Sequence, residues 1–149
     1  MEIAKWMKHP VQTIKPLDTI QHAREVMEEH RINQLPVVAN GRLLGIVSDR
    51  DLRDAFPSVF DSPGFGGHKY KHVVDPAKIQ VESVMSARLL TLSPKDSVVA
   101  AAQLMRRERI GAVPIVDTGR LVGILTRSDV LEAFVALAES NGTIERRTI

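Results

Sequence analysis

The chain contains no cysteine among its 149 residues. A disulfide framework and a thiolate metal site are therefore both excluded. It has a single tryptophan, Trp6, for which core packing is the default role. Charge of neither sign dominates. Twenty Lys and Arg against 18 Asp and Glu leave a net charge of +2, so no large electrostatic partner is demanded, neither nucleic acid nor a membrane surface. No apolar stretch approaches the ~20 residues of a membrane span. The opening Met1-Glu2-Ile3-Ala4-Lys5 starts no apolar run of the secretory kind. These absences suit a cytoplasmic protein. The 44% hydrophobic and 26% charged content is that of a globular chain.

What is present is a repeat. Residues 2–56 return as residues 80–134 at a constant offset of 78, without a gap. Met7 matches Met85, Pro16 matches Pro94, Asp18 matches Asp96, and Met27 matches Met105. Arg31-Ile32 matches Arg109-Ile110, Pro36 matches Pro114, Gly41-Arg42-Leu43 matches Gly119-Arg120-Leu121, and Asp51 matches Asp129. A register held over fifty positions means one structural unit built twice. Each copy alone is of a size at which a core is marginal, so the copies are expected to pack together with pseudo-two-fold symmetry. The expected division is repeat 1 over 1–56, a connecting loop over 57–79, repeat 2 over 80–138 and a tail over 139–149.

Each copy reads strand or loop, helix, strand, strand, helix. The first helix follows Pro16, with Asp18 or Thr19 as cap. Its inward face is Ile20, Ala23, Val26 and Met27, matched by Val98, Ala101, Leu104 and Met105. Two apolar runs, 35–38 and 43–47, flank Asn40-Gly41, a tight-turn signal. Thr118-Gly119 holds that place in the copy. In the second helix Leu52, Ala55 and Phe56 point inward. In the copy Val130, Ala133, Phe134 and Leu137 follow the i, i+3, i+4, i+7 spacing. Asn141-Gly142 ends that helix. Pro57-Ser58, Pro63-Gly64, Gly66-Gly67 and Asp75-Pro76 mark 57–79 as a loop. His68 and His72 within it lie four apart, a metal-ligand spacing on a helix. The glycines upstream favour a solvated loop instead, and no metal is expected.

The chemistry concentrates in one duplicated segment. Gly45-Ile46-Val47-Ser48-Asp49-Arg50-Asp51 matches Gly123-Ile124-Leu125-Thr126-Arg127-Ser128-Asp129. Ser or Thr followed three residues later by an acid, where a helix must start, is close to a capping box. The same place can also bind a ligand. A helix N-terminus offers free N–H groups and a positive dipole end, the hydroxyl can meet a phosphate or ribose oxygen, and the Asp can accept both hydrogens of a ribose diol. Arg50 and Arg127 stand by to neutralise phosphate. The two readings are compatible, because a cap can also be a ligand contact. No nucleophile–base pair, carboxylate pair or metal cluster announces a catalyst, and none is expected.

These features resemble a pair of cystathionine-β-synthase (CBS) domains. The resemblance rests on a Met near the start of each repeat, Leu-Pro-Val-Val or Val-Pro-Ile-Val in the middle, and Gly-apolar-apolar-Ser/Thr-x-x-Asp near the end. Asp49-Arg50-Asp51-Leu52, Pro57-Ser58-Val59-Phe60 and Leu131-Glu132-Ala133-Phe134-Val135-Ala136-Leu137 make it most similar to the acetoin-utilisation accessory type. Relatives of that type usually continue into a small ACT domain, which would begin near Ile149. The resemblance implies an α+β fold of two β-α-β-β-α repeats and a regulatory, non-catalytic adenosine-ligand sensor. It requires no cofactor. Its ligand is AMP, ADP or ATP, with NAD(H) and S-adenosylmethionine as further candidates, and it works with a regulated protein and as a homodimer. The alternative is a ligand-free structural or dimerisation module. By position, one implied cleft joins Thr126, Asp129 and Ile124 to His9, Val11, Ile32 and Asn33. The other joins Ser48, Asp51 and Ile46 to Ala87, Leu89, Ile110 and Gly111. Trp6 lies beside the first, where adenine stacking is the minority role.

Overall fold

The structure, a computed structural model, describes residues 1–55 and 75–142. Phe56, most of the expected loop with His68 and His72, and residues 143–149 lie outside the described residues. The chain divides into two compact units. One comprises residues 1–11 and 90–149, the other residues 12–89. Each is α+β, as the sequence indicates.

In the second of these units, α1 (Ile20–His30) starts at Thr19, whose hydroxyl accepts from the His22 N–H at 3.1 Å. Asp18, the other candidate cap, instead accepts from the Lys15 N–H at 2.9 Å. Ile20, Ala23 and Met27 are buried, the i, i+3, i+7 stripe of a one-faced helix. Arg31 closes α1 in a left-handed conformation, φ 52°. Strands β1 (Gln34–Ala39) and β2 (Arg42–Ser48) pair antiparallel, with a bulge at Val37/Val38. Asn40 and Gly41 both take positive φ, 52° and 75°, as a two-residue turn matched to strand twist requires. Helix α2 (Asp49–Ala55) follows β2 directly and buries Leu52.

The other unit repeats this plan. Helix α3 (Val98–Glu108) is capped by Ser97, and Arg109 closes it at φ 55°. Strands β3 (Ala112–Asp117) and β4 (Arg120–Thr126) pair with the matching bulge at Ile115/Val116. Helix α4 (Arg127–Ser140) runs two residues beyond position 138 and is closed by Asn141. Its inward stripe is Asp129, Val130 and Ala133. Phe134 and Leu137, on the same helical pattern, are 62% and 42% exposed. The unit's core covers only the first two turns on that side.

The opening segment of each repeat builds the unit that holds the other repeat's helices. Ile3, in a short 3-10 turn, is fully buried among Val98, Ala101, Val113 and Leu125. Its N–H donates to the Asp96 carbonyl at 2.9 Å. Val81, its counterpart at the offset of 78, is buried among Ile20, Leu35 and Val47 and donates to the Asp18 carbonyl at 2.8 Å. A few residues on, Lys8 pairs antiparallel with Ile124 of β4, and Ser86 with Ile46 of β2. Each hairpin thus gains a crossing backbone along its second strand. Trp6 and Met7 pack half-buried on the first core, and Met27 and Met105 are core residues.

Candidate functional site

Both duplicated segments end a strand and begin a helix with no intervening loop. At the end of β4, the Thr126 N–H donates to Asp129 Oδ2 at 2.7 Å, and the Asp129 N–H returns to Thr126 Oγ1 at 3.4 Å. The Thr126 hydroxyl donates to the same Oδ2 at 2.8 Å. At the end of β2, the Ser48 N–H donates to Asp51 Oδ2 at 2.8 Å and the Asp51 N–H to Ser48 Oγ at 3.1 Å. These are capping boxes, with Asp in the role usually given to Glu. Each satisfies two N–H groups that the helix start would leave unpaired. A further one is satisfied from upstream. The Arg127 N–H donates to the Gly111 carbonyl at 3.1 Å, and the Asp49 N–H to the Asn33 carbonyl at 2.8 Å.

The crossing segment runs alongside each box. Lys8 and Ile124 exchange two backbone hydrogen bonds of 2.9 and 3.1 Å, and Ser86 and Ile46 exchange two of 2.9 and 3.0 Å. This brings His9 and Val11 into the unit of Ile124, Thr126, Arg127 and Asp129, and Ala87 and Leu89 into the unit of Ile46, Ser48, Arg50 and Asp51. Ile110 and Gly111 lie in the first of these units, Ile32 and Asn33 in the second. Ile32 and Ile110 each pack on their own unit's core.

The two boxes differ in charge. Asp129 is 1% exposed, and the Lys8 ammonium stands 3.5 Å from its Oδ1. Asp51 is half-buried, and position 86, the counterpart of Lys8, is a serine. Arg50 is exposed and faces Asp54 at 4.0 Å, and Arg53 faces Asp49 at 3.4 Å. Arg127 is exposed. Lys8 was not among the residues singled out in the sequence. Its signal is there at the offset of 78, where a cation faces a hydroxyl after two matched methionines.

Among the described residues, no cluster of three or more His, Cys, Asp or Glu could hold a metal. No helix there is long and apolar enough to cross a membrane.

Two α+β units of one plan, each presenting a Ser/Thr–Asp box beside a crossing strand segment, define a tandem-repeat protein in which one polar helix start is built twice. The chain belongs to the CBS domain family, whose model matches residues 2–58 and 81–136. It is similar to a CBS domain-containing protein of Dictyostelium discoideum, 34% identical over 139 residues, covering 92% of this chain and 93% of that one. In structure it is similar to AcuB from Vibrio cholerae, whose name refers to acetoin utilization. That match has a TM-score of 0.74 and 28% identity, over 97% of this chain and 98% of that one. The CBS domain pair of protein MJ0100, solved in complex with 5′-methylthioadenosine and S-adenosyl-L-methionine, matches with a TM-score of 0.73 and 26% identity. It covers 90% of this chain and 99% of that one.

Proposed function

We propose that the chain is a regulatory module that binds an adenosine-containing ligand at the Thr126/Asp129 and Ser48/Asp51 half-sites, and that it is not an enzyme. The observation that carries this reading is the duplicated box itself. Each aspartate commits one oxygen, Oδ2, to its cap; the other, which in Asp129 faces the Lys8 ammonium at 3.5 Å, is the acceptor for a ribose hydroxyl. A hydroxyl-bearing helix start beside it suits the ligand's polar end. Ile124 with His9 and Val11, and Ile46 with Ala87 and Leu89, belong to the same units as their boxes and are the residues we assign to the base. The adenosine compounds held by the MJ0100 pair support the choice of ligand class.

Helix α4 gives occupancy a route outward. It carries Thr126 and Asp129 at its start and exposes Leu131, Phe134, Val135 and Leu137 further along. A homodimer formed on that face would feel any shift of the helix start. A ligand that favours one arrangement over another moves the equilibrium by its difference in affinity, and a regulated partner protein reads the result.

The test is mass spectrometry of whatever co-purifies with the protein, followed by calorimetry with AMP, ATP and S-adenosylmethionine. Saturable, stoichiometric binding of at least one is the expected result. Binding of none would leave the second reading, a structural or dimerisation module. The boxes favour that reading in one respect, since each is complete as a helix cap without a ligand. Turnover of the bound compound would make the chain an enzyme.

A further inference from the structure

Asp129 is paired with a side chain that no helix cap needs. Its Oδ2 already accepts from the Thr126 N–H and hydroxyl, and its Oδ1 faces Lys8 Nζ at 3.5 Å. The Lys8 side chain is 67% exposed, while that of Asp129 is 2% exposed. A buried carboxylate is costly without a counter-charge or donors, so the ammonium has an evident role as its counter-charge. Yet 3.5 Å is long beside the ~2.7–2.9 Å of a tight charge-assisted hydrogen bond. Lys8 is held firmly at its backbone, by the two bonds to Ile124, and loosely at its tip. A lysine is a compact point charge on a flexible four-carbon stem, so its ammonium can leave Asp129 without any backbone change.

We propose that Lys8 is the residue that sets the charge class of ligand in the Asp129 half-site, admitting a phosphate-bearing adenosine compound in preference to a neutral one. This rests on the reading of that half-site as an adenosine site. A ribose diol bound to Asp129 Oδ1 takes the place of the ammonium as that oxygen's partner. A neutral nucleoside displaces it into water and bears the loss of the ion pair. A nucleotide displaces it and offers a phosphate in exchange, within the arc that the anchored stem can sweep. The Asp51 half-site has Ser86 in place of the lysine and a half-buried aspartate, so it imposes no such exchange.

The experiment is calorimetry with AMP and with adenosine on the intact chain carrying Asp51→Ala, so that the Asp129 half-site reports alone. Wild-type protein is measured alongside. Lys8→Met is expected to weaken AMP about tenfold, the scale of one charge-assisted contact, while adenosine binds as before or more tightly. The ratio of the two affinities therefore collapses. Lys8→Arg should restore most of it. Thermal melts check folding, and Lys8→Gln replaces Lys8→Met if that variant melts early. An unchanged AMP-to-adenosine ratio, with both affinities kept or both lowered together, overturns the role of Lys8 and leaves the adenosine site standing. Failure of the wild type to bind either compound overturns the role of Lys8, and failure to bind ATP and S-adenosylmethionine as well overturns the adenosine site.

Discussion

The Ser86 carbonyl lies so close over Gly45 that a β-carbon on Gly45 would collide with it. That carbonyl also accepts the Ile46 N–H at 3.0 Å, so it cannot retreat without breaking the crossing pair. In the other unit, the nearest atoms to such a carbon on Gly123 are Sδ and Cγ of Met7, with the Lys8 carbonyl at 3.2 Å. A thioether side chain can swing aside far more readily than a strand backbone.

Gly45→Ala is therefore expected to destabilise more than Gly123→Ala, although the two glycines hold equivalent places. Overpacking of this kind costs about 1–3 kcal/mol, and Gly45→Ala should fall toward the upper end. Thermal or urea unfolding of both variants checks the order. Equal losses would mean that the crossing segment yields as easily at Ser86 as at Met7.

The hairpin turns offer a second repeat-to-repeat comparison. Thr118 holds φ 48° where its counterpart Asn40 holds φ 52°. A β-branched residue is poorly suited to this left-handed region, whereas Asn tolerates it. Thr118→Asn should stabilise by about 0.5–1 kcal/mol, within the usual range for a single optimised turn or cap. Asn40→Thr should lose a similar amount. Melting curves of the two single variants test both signs.

Much of this fold is legible in the sequence because its signals are local. The cap at Thr19, the stripe Ile20–Ala23–Met27 and the turn at Asn40-Gly41 each follow from residues within a few positions. Duplication lets one repeat check the other. What joins Lys8 to Ile124, or Ile3 to Val98, is not local, since each pair is separated by most of the chain. The periodicity of either repeat is satisfied whichever unit its opening segment enters, so only the family resemblance pointed to the crossed arrangement. Gly45 and Gly123 were visible as shared letters, but their reason is a crossing backbone that the pattern cannot show. Asp129 was legible as both cap and candidate ligand contact. Its ion pair with Lys8 was not, because the two are 121 positions apart. On α4, the spacing grouped Phe134 and Leu137 with the buried Ala133, yet the core ends before it reaches them.

That exposed face leads to a prediction about assembly. Leu131 and Phe134 are 64% and 62% exposed, with Val135 and Leu137 beside them. Four large apolar side chains on one helix are more than scattered surface exposure explains. The protein is expected to be a homodimer at tens of micromolar, roughly where a specific interface of standard size is occupied. Phe134→Glu combined with Leu131→Glu should yield monomers that keep the native circular dichroism spectrum. Light scattering that finds wild-type monomers at those concentrations would refute the dimer.

The aspartates provide the last and most discriminating comparison, because each has a structural task as well as its proposed functional one. Truncation of Asp129 to Ala removes the acceptor for the Thr126 N–H and hydroxyl and leaves Lys8 without its carboxylate. A lost cap costs about 0.5–2 kcal/mol, so weak binding by that variant could reflect a frayed α4. Asp129→Asn separates the two tasks. Its amide oxygen can still accept from the Thr126 N–H, but it no longer carries a charge and presents only one acceptor. If the half-site binds a ribose diol, Asp129→Asn should melt within a few degrees of the wild type and bind adenosine compounds at least about tenfold more weakly. That loss is one hydrogen bond to a charged group. Asp51→Asn should do the same for its own half-site, where Ser48 Oγ and N–H form the matching box. The decisive result is calorimetry on the two Asn variants beside their melts. Stable variants that bind as the wild type does would show that both boxes serve only to start their helices.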